Sequence, residues 1–178
     1  MVTTSGKYIL SLDPSSTKTG YAFLQCSADY RGSIGLLEHG VIKPKGSDEQ
    51  TRFESLADEL RYLIEKNDPD EAVFEKANPV FRNRPYNRRN HLQYVQAVNV
   101  AEQVLCQRLG ARNVYGLFAE TWKQTEKKRI TVRRANLLFD LDLSETRDHD
   151  IADAIMLGVF YIERQRYSPL PTILECTC

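Results

Sequence analysis

Residues 9–24, ILSLDPSSTKTGYAFL, set two apolar runs on either side of a short polar turn. Such a pattern predicts two strands, Tyr8 to Leu12 and Tyr21 to Cys26, joined as a hairpin. The first run is apolar on both faces, which places it centrally in a sheet. Asp13 stands at its exit, where a carboxylate loses hydration and must be paired, hydrogen-bonded or bound to a cation. An Asp there can also cap the turn through the amides of Ser15 or Ser16. The turn alone leaves both open.

Further along, Gly35 to Pro44 reads as a third strand, and Ser47 with Gln50 as a capping box that opens a helix. That helix, near Asp48 to Lys66, carries Phe53, Leu56, Leu60 and Leu63 on one stripe and covers a sheet face. Glu71 to Glu75 is a short fourth strand. A helix over Arg88 to Leu109 has two stripes. Leu92, Val95, Val98, Ala101 and Leu105 form one, and Ala97, Val100 and Val104 the other; one can face the sheet and the other a partner. Arg112 to Phe118 fits a fifth strand. A loop around Trp122 leads to a basic helix, Lys128 to Phe139. The last helix starts near Arg147, and its stretch Ile155 to Ile162 is apolar almost all round and must be buried. The order predicts an α/β fold, in which a hairpin-rich sheet is extended by parallel strands with right-handed crossovers.

At 178 residues the chain suits one compact domain, since about 100–200 residues form a single core. That domain is expected over residues 1–166, with 167–178 as a tail. No apolar run approaches the ~20 residues of a membrane span, and the N-terminus carries no signal or transit pattern. A cytoplasmic protein with no membrane partner is the expectation. The four cysteines lack CxxC spacing and paired His, which argues against zinc. The formal charge is zero, yet it is unevenly spread. Arg82 to His91 and Trp122 to Arg134 sum to +4 and +5 and leave −9 for the remainder.

Glu75 ends the fourth strand, and Asp150 and Asp153, three apart, project from one face of the last helix. Adjacent parallel first and fourth strands bring Asp13 and Glu75 side by side. Four acids in a partly desolvated site repel one another without countercharge. Divalent cations resolve this, and hard oxygen ligands favour Mg²⁺ or Mn²⁺. Two such ions ~3.5–4 Å apart are the usual device for in-line phosphodiester hydrolysis. Each acid taken singly also reads as a helix cap or a surface charge.

The segments LSLDPSSTKTGYAFL, EAVFEKANP and RDHDIADAIMLGVFYI resemble the three acidic motifs of RuvC-type Holliday junction resolvases, most like the phage-borne branch of the RNase H-like, retroviral-integrase nucleases. The resemblance spans about Lys7 to Ile162. It implies an RNase H-like fold, a five-stranded mixed sheet with helices on both faces. It also implies metal ligation and catalysis by Asp13, Glu75, Asp150 and Asp153, with two Mg²⁺ ions, for which Mn²⁺ substitutes. Ser15 stands where the family usually has Gly, and His149 can reach the face of Asp153 or cap the helix. WKQTEKKR falls where the family places a Lys-rich loop near the scissile phosphate. Lys127 and Lys128 are therefore catalytic candidates, and Lys123 and Arg129 phosphate contacts. Arg82, Arg84, Arg88 and Arg89 border the cleft as backbone clamps, with Phe81 or Tyr86 as stacking candidates; a solvated loop is the plainer reading.

The activity expected is a Mg²⁺-dependent endonuclease that resolves branched DNA, as a homodimer joined through the two-striped helix, leaving a 5′ phosphate. Alternatives are an RNase H-like or flap nuclease of the same fold and a non-cleaving junction-binding protein. DPSSTKTG also looks like the phosphate loop of actin-like sugar kinases, which need two such domains and a longer chain.

Overall fold

The computed structural model describes residues 6–77, 88–123 and 128–168, with the side chains of Arg88 and Lys128 outside that description. The order is β1 (Lys7–Asp13), β2 (Thr19–Cys26), β3 (Gly35–Ile42), α1 (Glu49–Asn67), β4 (Glu71–Lys76), α2 (Arg88–Leu109), β5 (Val114–Phe118), α3 (Ala119–Trp122), α4 (Lys128–Phe139) and α5 (His149–Tyr167). One sheet runs β3-β2-β1-β4-β5. Its first three strands are antiparallel, and β4 and β5 add in parallel. This is the five-stranded mixed sheet expected from the sequence.

The side-chain period of two divides the strands between two cores. Leu10, Leu12, Phe23 and Phe74 pack with α1 and α2. Ile9, Ala22, Leu24 and Val73 pack with α4 and α5 on the other face. In α5 every residue from Ala152 to Val159 is buried, as its apolar run requires.

Three local expectations change. The cap of α1 is Asp48, which accepts from the Thr51 amide at 2.9 Å, with Thr51 as its reciprocal partner; Ser47 and Gln50 do not form that box. Trp122 ends the one-turn helix α3 rather than lying in a loop. The second stripe of α2 is covered within the chain: Ala97 and Val104 are buried with α1, and Val100 packs against the same core. Its apolar partner is α1, because α1 and α2 lie together on one sheet face.

At the end of the sheet where β4 begins, the buried Glu71 carboxylate accepts from Tyr30 at 2.6 Å, Tyr161 at 2.7 Å and Lys7. Arg166 donates to the backbone carbonyls of Tyr30 and Gly32. The C-terminal half of α5 is thereby tied to β1, β4 and the turn after β2.

Candidate active site

The register brings the first two acids together. Leu12 is opposite Phe74 in the parallel β1/β4 ladder, so the next residues, Asp13 and Glu75, emerge side by side at its end. Alternation puts Asp13 on the face of Ile9 and Ser11, and Glu75 on that of Val73, which is the α5 face. Asp153 is 4% exposed and Asp150 partly buried on the first turns of α5.

Two glycines let α5 come this close. Gly20 pairs with Asp13 across the hairpin, and a Cβ at Gly20 would lie 2.0 Å from the Asp150 carbonyl oxygen. One at Gly158 would lie 2.4 Å from a Leu24 methyl. The turn that carries Asp13 is closed by Thr19, whose hydroxyl accepts from the Ser15 amide at 3.1 Å and donates to the Ser15 carbonyl at 3.0 Å. Thr19 therefore takes the capping role, and the reading of Asp13 as a turn cap gives way to Asp13 as a member of the acidic group.

Electrostatics couple the acids to one another. Withdrawal from water raises the Asp13 pKa well above the usual carboxylate range, reinforced by the charges of Glu75, Asp153 and Asp150. Burial likewise raises Glu75, with Asp153 adding to the effect, while Lys123, Trp122 and Tyr94 oppose it. Asp150 is held by Lys18 at 3.1 Å and His149 at 3.0 Å. His149 thus pairs with its neighbour Asp150, at the start of α5.

Lys123, expected at the DNA, lies inside the site, its ammonium on Asp153 Oδ2. The indole of the preceding Trp122 donates to Glu75 Oε2 at 3.1 Å. Tyr94 OH stands 3.5 Å from Glu75 Oε1. Lys18, Tyr94 and Trp122 carried no sequence signal for this role, since each meets its acid only through the tertiary fold.

The donors suit a hard cation: all are carboxylate oxygens, and the buried Asp153 Oδ1 has no hydrogen-bond partner here. With the side chains as placed, no three Asp, Glu, His or Cys among the described residues converge on one coordination point. Of the other predicted residues, Arg129 is exposed on α4 and Arg89 pairs with Glu49 of α1 at 3.3 Å. Arg82, Arg84, Lys127, Phe81 and Tyr86 lie outside the described residues, as do the side chains of Arg88 and Lys128.

Residues 9–161 match the family model of the crossover junction endodeoxyribonuclease RuvC. The chain belongs to the RuvC family. A RuvC of Oleidesulfovibrio alaskensis is 30% identical over 74 residues, a match spanning 42% of this chain and 43% of that protein. The fold is similar to that of Thermus thermophilus RuvC solved with a Holliday junction substrate, at a TM-score of 0.73 and 15% identity over 94% of this chain and 99% of that one. The yeast mitochondrial Holliday junction resolvase Ydc2 is similar at a TM-score of 0.59 and 16% identity, over 89% of this chain and 79% of that one. The matched span takes in all three acidic segments, on β1, β4 and α5.

Proposed function

We propose that the chain is a metal-dependent, structure-selective endodeoxyribonuclease that resolves four-way DNA junctions by paired phosphodiester hydrolysis. The observation that carries the reading is the meeting of Asp13, Glu75, Asp150 and Asp153 on the α5 face of the sheet, where proximity and burial raise the first two acids' pKa values. Membership of the RuvC family supports the substrate.

Asp13, Glu75, Asp150 and Asp153 are the ligands in this reading, with Mg²⁺ as the natural ion and Mn²⁺ substituting. Two bound ions would supply a water nucleophile at neutral pH and steady the leaving 3′ oxygen. Lys123 serves as an internal countercharge that leaves Asp153 when the ligands close. Lys127 and Lys128 act near the scissile phosphate. Arg82, Arg84, Arg88, Arg89 and Arg129 grip the backbone and give binding its salt dependence. The homodimer rests on the substrate's symmetry: two equivalent strands of a junction call for two equivalent sites. Because α1 covers Ala97 and Val104, a dimer contact through α2 would have to use the residues of that helix left exposed or partly exposed.

The test is incubation with labelled four-way junction, linear duplex, flap and RNA–DNA hybrid in Mg²⁺ and in EDTA. Paired nicks confined to the junction, and only with the metal, are expected. Preference for the hybrid or flap would move the chain to another activity of this fold. Tight junction binding without nicks would make it a binding protein.

A further inference from the structure

Trp122 is the chain's single tryptophan. It sits in the site rather than in the centre of a core. Its Nε1 donates to Glu75 Oε2 at 3.1 Å, and its ring, half-buried, packs with the α5 core and borders Met156 and Val159, just beyond Asp153. Lys123, the next residue, reaches Asp153 and passes 5.3 Å from the indole ring centre. Consecutive residues at the end of α3 therefore engage the acid of β4 and the acid of α5.

An indole N–H is only a donor. It stabilises the ionised carboxylate and, because the ring is wedged against α5, fixes where that carboxylate points. Tyr94, at 3.5 Å from Oε1, is at the outer limit of hydrogen bonding and leaves the indole as the firmer contact. We propose that Trp122 is a positioning residue that holds the Glu75 carboxylate in register with Asp153, so that cation affinity depends on this hydrogen bond and indole emission reports occupancy of the site. The inference rests on the reading of Glu75 as a cation ligand.

Mn²⁺ binding to the full chain without DNA, followed by electron paramagnetic resonance, tests it in wild type, Trp122→Phe, Glu75→Gln and the double variant. Circular dichroism checks each fold. Loss of a hydrogen bond to a charged group should weaken Mn²⁺ binding by about tenfold in Trp122→Phe. Adding Trp122→Phe to Glu75→Gln should weaken it no further, because the shared contact is already altered. Wild-type emission should change saturably with Mg²⁺, a diamagnetic ion, and that of Glu75→Gln should not.

Unaltered Mn²⁺ affinity in a folded Trp122→Phe that still cuts junctions overturns the inference and leaves the nuclease reading standing. A wild type that neither binds Mn²⁺ nor cuts junctions overturns both. If Trp122→Phe does not fold, equal Mg²⁺ responses of wild type and Glu75→Gln overturn the positioning role.

Discussion

The carboxyl of Asp13 is more acidic in the unfolded chain than in the folded one, because folding strips its water and sets it against three other acids. Between those two pKa values the folded chain binds more protons, so its ion-free stability falls as pH rises through that window. Asp13→Asn should raise the melting temperature in EDTA at neutral pH, as followed by calorimetry. The same change should lower cleavage at least about a thousandfold while leaving junction binding largely intact, because it removes charge stabilisation worth several kcal/mol. A wild-type rate in Asp13→Asn would remove that residue from the site. Glu75 is raised in the same direction. Protons and Mg²⁺ compete for these carboxylates, so acidification should weaken cation binding at a pH above the range in which an ordinary carboxylate titrates, and cleavage followed across pH at subsaturating Mg²⁺ would read this. The four acids were suggested by their places at strand ends and on one helix face, together with the resemblance of the segments that carry them. The sequence was silent on Lys123 as a partner of Asp153, because a Lys in a basic run has the same local pattern whether it faces DNA or a buried acid.

For whole elements, the legible features were the long apolar runs. The run apolar on both faces in β1 and the nearly continuous one in α5 led to a central β1 beside β4 and to a buried last helix carrying two acids, whereas the face on which the acids meet follows from the register of β1 and β4. Contacts between elements left less trace. Both stripes of α2 were visible, but the periodicity of a helix does not say whether the second stripe meets α1 or another chain. Val104 is 2% exposed, so Val104→Lys should bury an unpaired charge and cost about 3 kcal/mol or more. Chemical denaturation should show lost stability rather than a folded monomer. The approach of α5 to the hairpin is equally specific. Gly20→Ala would press a methyl group into the Asp150 carbonyl. Overpacking of this kind costs about 1–3 kcal/mol, and here it also shifts Asp150 and Asp153 away from Asp13. Cleavage should fall further than thermal stability does, which parallel melting and junction assays can compare.

For the whole molecule, the zero net charge conceals basic segments beyond β4 and β5 and an acidic remainder. Binding should therefore be steeply salt-dependent. Arg89→Ala should reduce the slope of log affinity against log salt by about one unit if Arg89 contacts a phosphate in the complex. No helix among the described residues is long and apolar enough to cross a membrane. On a cruciform plasmid, a symmetric dimer should convert supercoiled DNA directly to the linear form by paired nicks, whereas independent single nicks would only relax it. Sedimentation of the free protein reports the dimer, and a monomer that accumulates relaxed circles would count against paired resolution.

The fastening of α5 at both ends reaches beyond cleavage. Its first turn rests on Gly20 and is held by Lys18 through Asp150, while Tyr161 and Arg166 tie its other half to Glu71 and the turn after β2. A helix so held opens only when the sheet itself comes apart, so its central amides should be among the slowest in the chain to exchange with deuterium. The acids it carries then share the lifetime of the global fold. Heat should extinguish activity and structure in one step, with no folded but inactive species between them.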